Sequence, residues 1–311
     1  MSEPTMSLRK EYGKALADLG EKDKEIVVLD ADLSCSTKTS IFGQKFPERF
    51  FNMGIAEQSM AGTAAGLAAS GKIPFMSSFA IFATERCFEV IRNSIAYPRF
   101  NVKIVATHTG LTVGPDGASH QAIEDISLMR SIPNMKVIVP ADGIEAREVI
   151  KYVAKDQGPT YVRLSRMDWP VVHEDSFKFS EKAEVLRDGK DISIIACGLM
   201  VKPALEAAKL LDKDGISAEV VNMHVIKPID KGQIIKSAGT GAILTVEEHS
   251  IIGGLGSAVA EVLAENKPTR MQRMGVMDVF GESGSPNALL EKYGLTANDI
   301  YKTAKKLIEA K

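Results

Sequence analysis

The sequence predicts an α/β protein of two domains, each a mostly parallel sheet flanked by helices. Three observations carry this. Short segments rich in β-branched residues recur, bounded by turn residues; helix-like stretches separate them; and the alternation breaks once, near the middle of the chain. With 311 residues, 45% of them hydrophobic and 25% charged, the chain can bury two ordinary α/β cores.

In order along the chain, "EIVVLDAD", "KIPFMSS", "NVKIVATH", "MKVIVPA" and "PTYVRLS" are buried-strand segments of a first domain, residues 1–165. Helices are expected over Phe82 to Ala96 and Ile144 to Ala154. Residues 166–189 are polar, contain Pro170 and keep no period, so they read as a linker with room for a short hairpin of its own. The alternation resumes in "DISIIACG", "ISAEVVNM", "GAILTVEE" and "TRMQRMGV", which define a second domain, residues 190–311. Near the end, Ser285 before Pro286 is a helix start, and Thr296 with Asp299 has the spacing of a capping box. In "EEHSIIGGLGSAV", Gly254 and Gly256 suggest a dinucleotide fingerprint, but Val259 stands where glycine or alanine is needed.

Composition narrows the function. A net charge of -2 offers no nucleic-acid surface and no membrane-seeking face. Cys35, Cys87 and Cys197 are odd in number and far apart, which rules out a CxxC metal site and argues against a disulfide framework. No signal-peptide core or bilayer-length apolar run is present, so a cytoplasmic protein is the expectation.

The chemistry concentrates in two stretches. In "NMGIAEQSMAGTAAGLAAS", Glu57 opens a predicted helix whose Ala61, Gly62, Ala65, Gly66 and Ala69 would let another backbone approach. Taken alone, Glu57 at a helix N-terminus needs only the helix dipole as its reason. Phe79 and Phe82 follow the next strand at i, i+3, and a carboxylate beside an aromatic platform suits a flat nitrogen heterocycle. The second stretch is "VATHTGLTVGPDGASHQAIED", a long glycine-bearing loop at the end of a strand, where open parallel sheets bind ligands. Its His108 and His120 suit proton exchange or the binding of a hydroxyl or phosphate; each alone suits a structural role equally well. His173, His224 and His249 have no comparable neighbours and receive no role.

Those stretches, together with "VFGESGSPNALLEKYGLTANDI", resemble the pyrimidine-binding and carboxy-terminal domains of transketolase, over nearly the whole chain from Leu8 onward. The resemblance implies thiamine diphosphate as cofactor. Glu57 would bind N1' of its aminopyrimidine and promote the tautomer that deprotonates the thiazolium. Phe79 would stack on the ring, with Phe82 beside it, and Asp32 and Leu33 would lie near the cofactor. Ser36, Arg9 and Arg166 would bind substrate phosphate, Asp116 a sugar hydroxyl. His108 would line the substrate channel and His120 would shuttle protons. Glu85 stands near a position that is tyrosine in some members, so that wall is expected to differ.

The Gly-Asp-Gly motif that holds Mg²⁺ and diphosphate in this family is missing from the sequence, and no metal ligand is expected on this chain. The resemblance therefore implies the carboxy-terminal subunit of a split transketolase of the pentose phosphate type. A separate chain would carry Gly-Asp-Gly, two copies of each would assemble, and Gly62 and Gly66 would be a candidate subunit contact. Competing readings are the β subunit of a 2-oxoacid dehydrogenase, a deoxyxylulose phosphate synthase-like enzyme, and a non-catalytic regulatory paralogue.

Overall fold

Buried segments pair into two large sheets, beside a separate two-stranded pair, in the computed structural model, which describes residues 3–310. The first sheet has seven strands, in the spatial order Val225–Lys227, Lys136–Ile138, Thr160–Arg163, Lys103–Ala106, Ile73–Ser77, Ile26–Asp30 and Phe50–Asn52. All run parallel except Val225–Lys227, which is antiparallel to Lys136–Ile138. Register is set by buried pairs such as Val28 opposite Phe75 and Ile104 opposite Tyr161. Strands covered on both faces read as continuous apolar runs, which is why five of them are visible in the sequence. The second sheet, of five strands, runs Arg270–Val276, Ala242–Ser250, Ile192–Ala196, Ala218–Asn222 and Glu184–Arg187, the last antiparallel.

The stretch read as a linker with its own hairpin is built differently. Asp168–Pro170 pairs antiparallel with Thr5–Ser7, while Glu184–Arg187 adds an edge to the second sheet. Their partners are remote in sequence, so no local turn signal could announce them. Val225–Lys227 likewise leaves the second half of the chain to form an edge of the first sheet.

Helix Gly143–Val153 starts at Asp142, whose side chain accepts from the Glu145 N–H at 2.8 Å. Thr296 and Asp299 form the reciprocal capping box of helix Ala297–Glu309, and Ser285 caps Pro286–Lys292. Over Phe82 to Ala96 the expected helix is uneven: wide π-type turns at Phe82–Arg86 and Ile91–Ala96 flank Phe88–Val90. In helix Glu57–Ala69, Ala61 and Ala65 turn inward and are buried. Gly62 and Gly66 are exposed, and nothing lies within 4 Å of where their side chains would begin. Within this chain they mediate no close packing.

Two histidines that the sequence left without a role knit the domains together. His173 Nδ1 meets Asp142 at 3.0 Å and its Nε2 meets Glu184 at 2.9 Å. His224 is paired with Glu145 at 2.8 Å, and Asn222 donates to the same carboxylate. No helix among the described residues is long and apolar enough to cross a membrane.

Candidate active site

The carboxyl ends of the parallel strands present the residues singled out above. Asp32, Leu33 and Ser36 follow Ile26–Asp30; Glu57 follows Phe50–Asn52; Phe79 and Phe82 follow Ile73–Ser77; His108, Asp116 and His120 follow Lys103–Ala106; Arg166 follows Thr160–Arg163. Arg9 enters from the first turn of helix Leu8–Lys22.

Four rings meet there. Phe79 and Phe82 lie nearly parallel, with centroids 6.1 Å apart and planes 16° apart. His108 stacks on Phe79 at 3.7 Å, and His120 meets Phe82 edge-on at 5.4 Å. His108 takes a left-handed backbone, φ 59°, and its Nδ1 is 2.9 Å from Thr107 Oγ1, which fixes the ring. Burial first, then the charges of Arg9, Arg166, His120 and Lys38, push its pKa down to about 3. At neutral pH His108 is thus a neutral hydrogen-bonding group, a narrower role than the sequence allows. His120 is the loop histidine with solvent access.

Cations gather beside these rings. Arg9 Nη1 donates to the Ser36 carbonyl at 2.7 Å, and Arg166 Nη1 donates to the Val113 carbonyl at 2.6 Å. Asp116 Oδ1 stands 4.0 Å from Arg166. Arg9 Nε is buried without a partner. Burial and the neighbouring Arg166 both lower the basicity of Arg9, as expected of cations held near one another for an anion. Lys38, which the sequence reading passed over, joins this group from a left-handed position, φ 73°. Gly13 lets helix Leu8–Lys22 carry Arg9 close to that loop: a Cβ on Gly13 would meet the Lys38 carbonyl at 2.4 Å.

Glu57 is 3% exposed, and its Oε2 accepts from Arg86 Nη1 at 2.8 Å. The Arg86 guanidinium also lies 4.8 Å from the Phe82 ring centre, so one cation ties the carboxylate to the aromatic platform. Arg86, like Lys38, has only a weak signal in the sequence, a cation four residues after Phe82, and the π-type turns here do not have the helical spacing that would announce it. The contacts of Asp32 and Leu33 run instead to Asn52 and Asp30. Beside Arg86, burial together with Glu124 and Asp125 pushes Glu85 up to about 7. Among the described residues no three His, Cys, Asp or Glu side chains group as a metal site.

A buried carboxylate, an aromatic platform and a neutral imidazole fit a flat aminopyrimidine, and the orphaned Arg9 Nε beside two further cations fits a phosphate. The fold and this cluster of residues define a two-domain protein of the thiamine-diphosphate pyrimidine-binding class. The family described as "Transketolase, pyrimidine binding domain" matches residues 4–171, and "Transketolase, C-terminal domain" matches residues 181–300. The chain belongs to the transketolase family, which depends on thiamine diphosphate. A putative transketolase C-terminal section of Methanocaldococcus jannaschii is 53% identical over 97% of this chain and 95% of its own. A 6-deoxy-6-sulfo-D-fructose transketolase subunit of Clostridium sp. (strain MSTE9) is 44% identical over 98% and 95%. A solved structure described as a split gene transketolase, inactive beta4 tetramer, superposes with a TM-score of 0.90 at 54% identity, covering 98% of this chain and 99% of that one.

Proposed function

We propose that this chain is the carboxy-terminal subunit of a transketolase that moves a two-carbon ketol unit between phosphorylated sugars, working in the cytoplasm with a second chain that binds diphosphate and Mg²⁺. The observation that carries this is the adjacency of two kinds of site: Glu57, Phe79 and Phe82 for a heterocycle, and Arg9, Lys38 and Arg166 for an anion, with His108 between them. Bound there, thiamine diphosphate would supply the nucleophilic carbon that carries the two-carbon unit. Glu57 would hold a proton against a ring nitrogen, and Phe79 and Phe82 would fix the ring plane. His108, kept neutral, would hydrogen-bond a sugar oxygen, and His120 would exchange protons with solvent. Arg9, Arg166 and Ser36 would orient the sugar's phosphate, and Asp116 a hydroxyl. Asp32 and Leu33 would border the cofactor from the neighbouring loop.

The partner reading draws support from relatives of matching length that are themselves described as a section or a subunit, and from a β4 tetramer described as inactive. A second chain with a Gly-Asp-Gly site, two copies of each, would then complete the site, with Gly62 and Gly66 free to pack on it.

The test is to recover the chain with its bound partners and supply thiamine diphosphate and Mg²⁺. Xylulose 5-phosphate with ribose 5-phosphate is then compared against a panel of 2-oxoacids. Sugar turnover that requires a co-purifying Gly-Asp-Gly chain is the expected result. Oxoacid turnover instead would make this a dehydrogenase β subunit, and silence with both a regulatory chain. In the active complex, Arg166→Ala should raise KM for the sugar phosphate about 10- to 100-fold, the loss of one charge-assisted bond of about 1.5–3 kcal/mol. Turnover of the unphosphorylated sugar should change little; an equal loss on both would remove Arg166 from phosphate binding.

A further inference from the structure

The strand Ala242–Ser250 ends in three consecutive titratable residues, Glu247, Glu248 and His249, all buried. Two have partners that account for them. Glu247 accepts from the Leu255 and Gly256 N–H groups at the start of helix Leu255–Asn266, and His249 bonds the Ser250 carbonyl and meets the Ser127 N–H. Glu248 points the other way, out of its own domain. Its Oε1 accepts from the Thr112 N–H at 2.6 Å, in the middle of the loop that runs from His108 to His120. The loop is shaped to receive it: Gly110 has φ +71°, and a Cβ there would lie 2.4 Å from Glu248 Cδ. The backbone around Glu248 is anchored too, because Arg163 Nη2 donates to both the Glu248 and the Ala122 carbonyls.

Thr112 is followed by Val113, whose carbonyl holds Arg166. A side chain of the second domain therefore holds the loop two peptide units before the carbonyl on which Arg166 rests. Gln121 adds a second tie, its Nε2 donating to the Leu111 carbonyl and to Glu282 O from the second domain. We propose that Glu248 is a positioning residue: by gripping Thr112 it fixes the Val113 carbonyl and so the aim of Arg166, which makes the second domain a determinant of substrate affinity. The inference rests on the reading of Arg166 as a phosphate ligand, but its mechanical part stands apart from that reading.

The test uses Glu248→Ala and Glu248→Gln in the assembled complex. Glutamine keeps an acceptor for Thr112; alanine removes it. Amide hydrogen exchange of residues 110–117 should quicken at least 10-fold in the alanine variant and stay within about 3-fold of the parent in the glutamine variant. In parallel, KM for the sugar phosphate should rise at least 10-fold in alanine, with kcat within about 3-fold, and glutamine should restore it. Unchanged exchange in Glu248→Ala overturns the grip. Fast exchange with an unchanged KM overturns its link to Arg166, and a glutamine variant as impaired as alanine assigns the effect to charge rather than to the bond. If alanine does not fold, Glu248→Asp, which shortens the reach to Thr112, must give the same exchange and KM pattern, or the proposal fails. A parent complex that is inactive on sugar phosphates fails the functional reading alone; the exchange comparison still decides the grip.

Discussion

Glu57→Gln, in the complex with its diphosphate-binding chain, should assemble normally and lose turnover by about 10²–10⁴-fold, the usual scale of a lost proton-transfer group. Assembly should survive because the substitution conserves shape and its amide oxygen can still accept from Arg86, the partner that Glu57 meets at 2.8 Å. Glutamine can still donate an amide N–H, but it lacks a carboxyl proton that can be transferred to a ring nitrogen. The direct readout is exchange of the thiazolium C2 proton, followed by NMR at matched cofactor occupancy. Exchange at the parent rate would mean that Glu57 has no part in activating the cofactor. Loss of cofactor binding as well would show that Glu57 contributes mainly affinity.

His173→Ala should cost about 3–5 kcal/mol of stability, the scale for removing one partner of a buried ion pair. Burial disfavours the imidazolium, yet the hydrogen bonds of Asp142 and Glu184 and the charge of Glu145 lift His173 to about 10. The sign follows from linkage. A pKa raised above the unfolded value of about 6.5 contributes stability that is complete below that value and is lost as pH rises through about 10. The carboxylates move oppositely. Against the cost of burial, His173 holds Asp142, and His224 holds Glu145, below the ordinary carboxylate range. Their contribution is complete above that range and is lost as pH falls below it, through the lowered folded-state values. Denaturant unfolding from about pH 2 to about pH 10 should thus give a plateau with falling shoulders, and His173→Ala should flatten the alkaline one. An alanine variant with the parent's alkaline slope would show that His173 is not charged in the folded protein.

The sequence by itself determined the two-sheet α/β plan, because strands buried on both faces must be written as apolar runs and their connecting helices as amphipathic ones. It determined the placement of Phe79, Phe82 and the histidine loop at strand ends, since each lies just downstream of a strand that could be seen; Glu57 follows the short strand Phe50–Asn52, which has no such apolar run. The helix starts at Ser285 and Thr296 were legible for the same reason: a cap is a contact between residues a few positions apart. Only the tertiary structure decided which of those residues face one another. Arg9 and Arg166 come from opposite ends of the first domain and meet because the sheet brings their elements together. Arg86 reaches Glu57 across the gap between two helices, and Glu248 reaches Thr112 from another domain. The edge strands at Asp168–Pro170 and Glu184–Arg187, and the roles of His173 and His224, were hidden likewise. A local pattern records which residues are buried and how often they recur. A charge pair or an edge-strand ladder is a property of two distant segments, and nothing in either one names the other.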